Sequence, residues 1–153
     1  MELKLSKYKI GLTASTFDLF HAGHVTMLEE SKRVCDYVIA AIQTDPTIDR
    51  PDTKNKPIQS IVERQIQVKA CKYVDEILLY DTEDDLLNLI KSQTMHIRFL
   101  SEEYKNRDFT GKEYCLNNGI EIHYHKRQHT FSSTELRERI YNLELQKQKD
   151  KFE

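Results

Sequence analysis

Five short, strongly apolar runs separated by longer amphipathic stretches leave this chain few ways to fold. Tyr8–Ala14, Tyr37–Thr44 (YVIAAIQT), Asp75–Tyr80 (DEILLY), His96–Leu100 and Ile120–Tyr124 read as strands. Their near-continuous apolarity is that of strands covered on both faces, as in a parallel sheet. Between them, Gly23–Cys35 carries Val25, Leu28 and Cys35 on one stripe, and Ile58–Lys72 carries Ile58, Ile61, Val62 and Ile66 on another. A third helix opens at Thr82 with Glu83, Asp84 and Asp85, acidic residues that suit a helix N-terminus. A shorter one covers Gly111–Asn118, and the last starts at Ser132, where Ser132 and Glu135 match a capping box, and runs through Leu136, Ile140 and Leu143. This alternation predicts one doubly wound α/β domain around a five-stranded parallel sheet. Residues 1–141 form that domain, and 142–153 are a polar helix end or tail.

Charge and cysteine content narrow the function classes. Among 153 residues, 23 Lys and Arg face 25 Asp and Glu, a net charge of −2 that argues against a general nucleic-acid or membrane-surface binder. Cys35, Cys71 and Cys115 are odd in number, widely spaced and never C-x-x-C, which fits reduced thiols better than a disulfide framework or a zinc site. Met1–Lys9 lacks the apolar run of a signal peptide, and no membrane span is visible, so the expected location is cytoplasmic. All three prolines fall in Asp45–Pro57, a loop of a length that is usually functional or mobile.

The glycines exclude two common phosphate cradles. Gly11, Gly23, Gly111 and Gly119 are too scattered for G-x-G-x-x-G or G-x-x-x-x-G-K-[ST]. In an open parallel sheet, ligands bind beyond the carboxyl ends of the strands. Beyond the first strand lies Ser15-Thr16-Phe17-Asp18-Leu19-Phe20-His21-Ala22-Gly23-His24, leading straight into a helix. Histidines three apart on a first helical turn share a face with its free backbone amides, a donor-rich spot suited to phosphate. Gly23 between them lets a ligand approach the backbone. The spacing alone is equally compatible with two metal ligands, for which the further ligands are not found locally, or with two surface residues.

The wider string decides among these. Thr16–His24 resembles the T-F-D-x-x-H-x-G-H signature of the nucleotidyltransferase α/β family, above all its glycerol-3-phosphate cytidylyltransferase-like members. Glu63-Arg64 and Lys72-Tyr73-Val74-Asp75-Glu76 are similar to the family's E-x-R … Y-V-D-E segment. Arg127-Gln128-His129-Thr130-Phe131-Ser132-Ser133-Thr134 sits where the family carries R-T-x-G-I-S-T-T. The resemblance implies a Rossmann-like nucleotidyltransferase fold and transfer of CMP from CTP to a small phosphorylated alcohol such as glycerol 3-phosphate, with release of pyrophosphate. It also implies Mg2+ or another divalent cation on the triphosphate, and a homodimer. An ATP-using adenylyltransferase shares the I-S-S-T-x-I-R pattern seen at Phe131–Arg137, but Leu19 stands where such enzymes often have proline. A catalytically impaired nucleotide binder is the third alternative, because Ser15 and Ser101 replace family glycines.

Carried onto this sequence, the resemblance gives each residue a role. His21 and His24 donate to phosphate oxygens as charge builds in the transition state. Arg127 and the Ser132, Ser133 and Thr134 cap hold the β- and γ-phosphates. Lys56, in the proline loop, stands for the family's mobile lysine. Ser15, Thr16, Phe17 and Gly23 line the nucleotide, while Glu103 faces its base or ribose and Tyr104 walls the pocket. Asp18 orients the turn on the second substrate's side, where Arg64 and Lys72 bind the acceptor phosphate. Lys72 keeps charge where the family has arginine but loses the bidentate fork. His123 and His125 share a strand face and read as an edge pair, with no metal site expected.

Overall fold

In a computed structural model, which describes residues 7–127 and 129–153, the chain alternates strand and helix throughout. The strands are β1 (Ile10–Ser15), β2 (Tyr37–Gln43), β3 (Glu76–Tyr80), β4 (Ile97–Ser101) and β5 (Glu121–His125). The helices are α1 (Ala22–Val34), α2 (Ile61–Ala70), α3 (Glu83–Ser92), α4 (Lys112–Asn117) and α5 (Ser133–Asp150), with one 3-10 turn at Glu102–Tyr104. Residues 1–6 and Gln128, within the last motif, lie outside the described residues. The predicted doubly wound fold is present. The sheet is five-stranded and wholly parallel in the order β3-β2-β1-β4-β5.

That order places the switch point between β1 and β4, where the chain stops building one half of the sheet and starts the other. A crevice must open there at the strands' carboxyl ends. Each sheet face carries its own core. Leu28 of α1 and Val68 of α2 pack with Val38, Ala40, Ile42, Ile97 and Phe99 on one face. Leu86 and Ile90 of α3 and Cys115 of α4 pack with Leu12, Ile39, Ala41 and Tyr80 on the other. Among the described residues, no helix is long and apolar enough to cross a membrane.

One element departs from expectation, and the end of the chain takes the helical of its two expected forms. On α2, the inward residues are Arg64 and Val68, with Ile61 partly buried, whereas Ile58, Val62 and Ile66 point to solvent. Apolar periodicity alone assigned the wrong face, because a charged residue occupies the inner one. The polar segment after residue 141 is also ordered helix: α5 runs on to Asp150, with Ile140, Tyr141 and Leu143 exposed.

Arg64, only 2% exposed, explains why the inner face of α2 is charged. Its guanidinium donates to four backbone carbonyls: Nε to Gln59 O (3.1 Å), Nη1 to Thr16 O (3.0 Å) and Gln43 O (2.6 Å), and Nη2 to Thr44 O (2.6 Å). These carbonyls belong to the segments leaving β1 and β2 and entering α2, so one side chain ties three loops at the crevice rim. Asp18 adds a second tie, accepting from the backbone N–H groups of Ile58 and Gln59 at 2.9 Å each. A lysine cannot reproduce a planar five-donor fork. We predict that R64K lowers unfolding free energy by about 2–4 kcal/mol in urea titration, because buried carbonyls lose their donors.

Candidate active site

The crevice is a cleft of about 740 Å³, and it gathers residues from both halves of the sheet. Its centre is the β1–α1 connection. Ser15 ends β1, and its Oγ accepts from Phe17 N–H at 3.3 Å. Phe17 and Leu19 both adopt left-handed backbone, with φ of 52° and 50°. Non-glycine residues rarely do so, and here the strain sits in a turn that the Arg64 and Asp18 ties hold in place.

At the head of α1 the histidines cap their own helix. His21 is the N-cap: its Nδ1 accepts from Gly23 N–H at 2.9 Å. His24 reaches back, and its Nδ1 accepts from His21 N–H at 3.2 Å. This is a capping box in which imidazoles take the places of Ser and Glu. Its chemical consequence is that each Nδ1 is an acceptor, so each neutral ring carries its proton on Nε2. His21 Nε2 lies 3.3 Å from Ser133 Oγ, and Ser133 Oγ also donates to Asp18 O at 3.3 Å. The rings lie 3.9 Å apart, and His24 stacks on Phe20 at 5.5 Å. Gly23 is required by this packing, since a Cβ would meet His21 Cε1 at 2.7 Å and His129 Cε1 at 3.1 Å. The space expected to admit a ligand to the backbone is filled by the His21 ring.

Both imidazoles resist protonation. Burial is the main cause for each, and it pushes His24 down to about 3, with the neighbouring His21 assisting. His21 is lowered by burial and then by the nearby His129 and Arg127. Near neutral pH the pair is therefore uncharged, and it acts through N–H donors.

Across the cleft stands the N-terminus of α5. Ser132 caps it, accepting from Glu135 N–H at 3.0 Å. Arg127, exposed in the cleft, donates from Nη2 to Phe131 O at 2.8 Å. His129 stacks on Phe131 at 4.9 Å. Thus His21, His24, Gly23, Ser15, Thr16, Arg127, Ser132, Ser133, Glu103 and Tyr104 all line one cavity.

Other expected site residues are elsewhere. Phe17 is wholly buried beneath His24, in the core. Thr134 is exposed on α5 outside the cleft lining, and Asp18 spends its carboxylate on the α2 entry. Lys56 does not line the cleft, whereas Lys54 of the same loop does. Arg64 commits four of its five N–H groups to backbone carbonyls, so it is a tie within the fold and not the fork expected for an acceptor phosphate. Lys72 lies over the Tyr73 ring at 5.1 Å, before the amino end of β3 and so at the opposite end of the sheet from the cleft. The sequence reading missed Arg50, Arg98, Lys126 and Glu30, all of which line the cavity.

Glu30 forms the one group among the described residues with metal-ligand spacing, together with His123 and His125. Its carboxylate lies 3.3 Å from His123 Nε2 and 2.5 Å from His125 Nδ1. The expected face-sharing of the two histidines is present, with the carboxylate as the added third member. Two imidazoles favour a transition metal over Mg2+. A Mg2+ carried by phosphates needs only a ligand or two from protein, and the exposed carboxylates of Glu103 and Asp108 border the cleft.

Comparison with known proteins agrees with this geometry. Residues 12–139 match the family described as cytidylyltransferase-like, and the chain belongs to that family. It is 30% identical over 114 residues to the Bifunctional protein HldE of Caulobacter vibrioides, covering 74% of this chain and 23% of that protein. It is 41% identical over 83 residues to ethanolamine-phosphate cytidylyltransferase of Mus musculus, covering 51% of this chain and 20% of that one. The chain therefore spans about a quarter or less of these relatives. Among solved structures, the lipopolysaccharide core biosynthesis protein of Thermoplasma volcanium shares the fold, with a TM-score of 0.63 and 22% identity over 80% of this chain and 100% of that one.

The histidine geometry carries a pH prediction. The unfolded chain binds a proton at His24 below about pH 6.5, while the native ring does not until about 3. Stability therefore falls as pH drops through that window. H24N retains an acceptor for the His21 N–H but cannot titrate. Urea unfolding at pH 7 and pH 5 is expected to show a smaller acid loss for H24N than for the wild type.

Proposed function

We propose that the chain transfers CMP from CTP to a small phosphorylated alcohol such as glycerol 3-phosphate, releasing pyrophosphate. An oxygen of the acceptor phosphate attacks the α-phosphorus, forming the new P–O bond as the bond to the β-phosphate oxygen breaks. Such transfers depend on positioning and charge stabilisation more than on covalent protein chemistry. The observation that carries the reading is the pair of Nε2–H donors fixed by the α1 capping box, in a cleft that the first turn of α5 also lines, with His21 Nε2 3.3 Å from Ser133 Oγ. The donors need no reorganisation when charge accumulates, which is where such groups contribute most. Arg127 and the first turn of α5 suit the leaving pyrophosphate. A divalent cation, held largely by the triphosphate, would neutralise part of its charge.

Family membership and the likeness to an ethanolamine-phosphate cytidylyltransferase support cytosine over adenine. The Ser15 hydroxyl is engaged within its own turn, which weighs against the idea that this serine obstructs the site. A panel of CTP, ATP, GTP and UTP, each with several phosphorylated alcohols, tests the reading through pyrophosphate release. CTP-dependent turnover with glycerol 3-phosphate is expected, with H24A reduced by about 100-fold or more and still folded. Turnover with ATP alone contradicts the base assignment.

We also propose a homodimer built on the α2–β3 face. Val62 is 59% exposed, Ile66 65% and Leu79 43%, and with Val74 and Ile77 they line a groove beside the β3 edge. An exposed edge strand next to an apolar helix face is a surface that proteins normally cover. Light scattering should give a dimer for the wild type and a monomer for V62D/I66D. A wild-type monomer contradicts the assignment.

A further inference from the structure

Arg98 sits in the middle of β4, paired in register with Leu12 of β1 and Ile122 of β5. It is 3% exposed, and its side chain turns to the α3–α4 face of the sheet, away from the histidines. Among the described residues, its Nε and Nη1 have no hydrogen-bond partner, although the residue lines the cleft. Arg64 makes the contrast clear, because an equally buried guanidinium there donates four of its five N–H groups to backbone carbonyls.

Among the described residues, the one carboxylate near Arg98 already has other partners. The titratable groups around it are Tyr80, Cys115, Glu83 and Tyr104. Glu83 is the carboxylate among them, and both its oxygens are taken: Oε1 by Arg50 Nη2 at 2.6 Å, and Oε2 by the Thr110 hydroxyl at 2.6 Å. Arg50 is also held by Gln43 Oε1 at 2.8 Å, and its Nε makes no hydrogen bond, with the Asp49 carboxylate 3.6 Å away. A buried guanidinium that cannot shed its proton is costly to the fold unless something accepts its hydrogen bonds. The unmet N–H groups of such a guanidinium are matched by the oxygens of a planar or tetrahedral oxyanion.

We propose that Arg98, with Arg50 beside it, is an oxyanion subsite that receives the anionic group of the acceptor. The assignment to the acceptor rests on the nucleotidyltransferase reading and on position. The histidine donors and the α5 N-terminus take the nucleotide phosphates on one side of the sheet crest. Arg98 opens onto the same cleft from the other side. The subsite would select acceptors by charge, and it links the two halves of the sheet in one binding event.

The test uses R98M, which keeps an unbranched stem and removes the charge, and R98K, which keeps the charge and loses the fork. Three readouts are taken on the full chain. With the acceptor that supports turnover, R98M should raise the acceptor KM by about 10- to 100-fold and leave the CTP KM within about twofold. Without ligands, R98M should melt a few degrees higher than the wild type, because an unpaired buried charge has been removed. Inorganic phosphate should raise the melting temperature of the wild type more than that of R98M, with R98K between them. A raised CTP KM with an unchanged acceptor KM overturns the assignment to the acceptor. A lower melting temperature for ligand-free R98M, or equal phosphate stabilisation of all three proteins, overturns the subsite itself. A wild type that turns over no substrate yet keeps the Arg98-dependent phosphate response overturns the reaction and leaves the anion site standing.

Discussion

The imidazole capping box at the head of α1 is the interaction on which the rest of the site depends. A helix N-terminus leaves backbone N–H groups without partners, and serine or aspartate usually supplies the acceptor. Here His21 and His24 supply it through Nδ1, and this one choice sets three properties together. It starts the helix, it fixes which ring nitrogen carries the proton, and it aims the remaining N–H into the cleft. The burial that keeps both rings neutral then makes them dipolar donors with no net charge. The left-handed turn at Phe17 and Leu19 delivers the chain to this cap, and the Asp18 and Arg64 ties to the α2 entry keep that turn from relaxing.

The two arginines on opposite faces of the sheet divide structural and binding work in an instructive way. Arg64 commits four of its five donors, and its four carbonyl acceptors are the ends of loops that would otherwise need water. Arg98 contributes nothing of that kind: its Nε and Nη1 are buried without acceptors, on a residue that lines the cleft. Burial by itself does not separate a structural charge from a functional one. What separates them is whether the fold has already satisfied the charge.

Much of the fold was legible because hydrophobic period and capping chemistry agreed along the chain. All five strands and all five helices fall where the runs and caps place them, within a few residues. The histidine pair and Gly23 were singled out by their place at the carboxyl end of β1, and Arg127 and Ser133 by the family resemblance at the start of α5; all of them line the cleft. The failures share one cause, which is that a linear pattern does not reveal which side of an element meets the core. Ile58, Val62 and Ile66 repeat at helical spacing yet face outward, because Arg64 takes the inner face. Lys72 stands beside a family motif, with lysine for the family's arginine, but lies at the opposite end of the sheet from the cleft. Arg98 did leave a trace, a lone charge inside the apolar run His96–Leu100 of a strand covered on both faces. Such a strand has no solvent face on which a charge could be hidden.

The central claim is that His21 and His24 act as neutral Nε2–H donors pinned by their own helix. Long-range proton–nitrogen correlation spectra of uniformly 15N-labelled protein, recorded between pH 7 and pH 5, observe the ring nitrogens directly. The geometry predicts, for His24, an unprotonated Nδ1 and a protonated Nε2 whose shifts stay constant across that range. A His24 ring that titrates near 6.5, or that carries its proton on Nδ1, would contradict it.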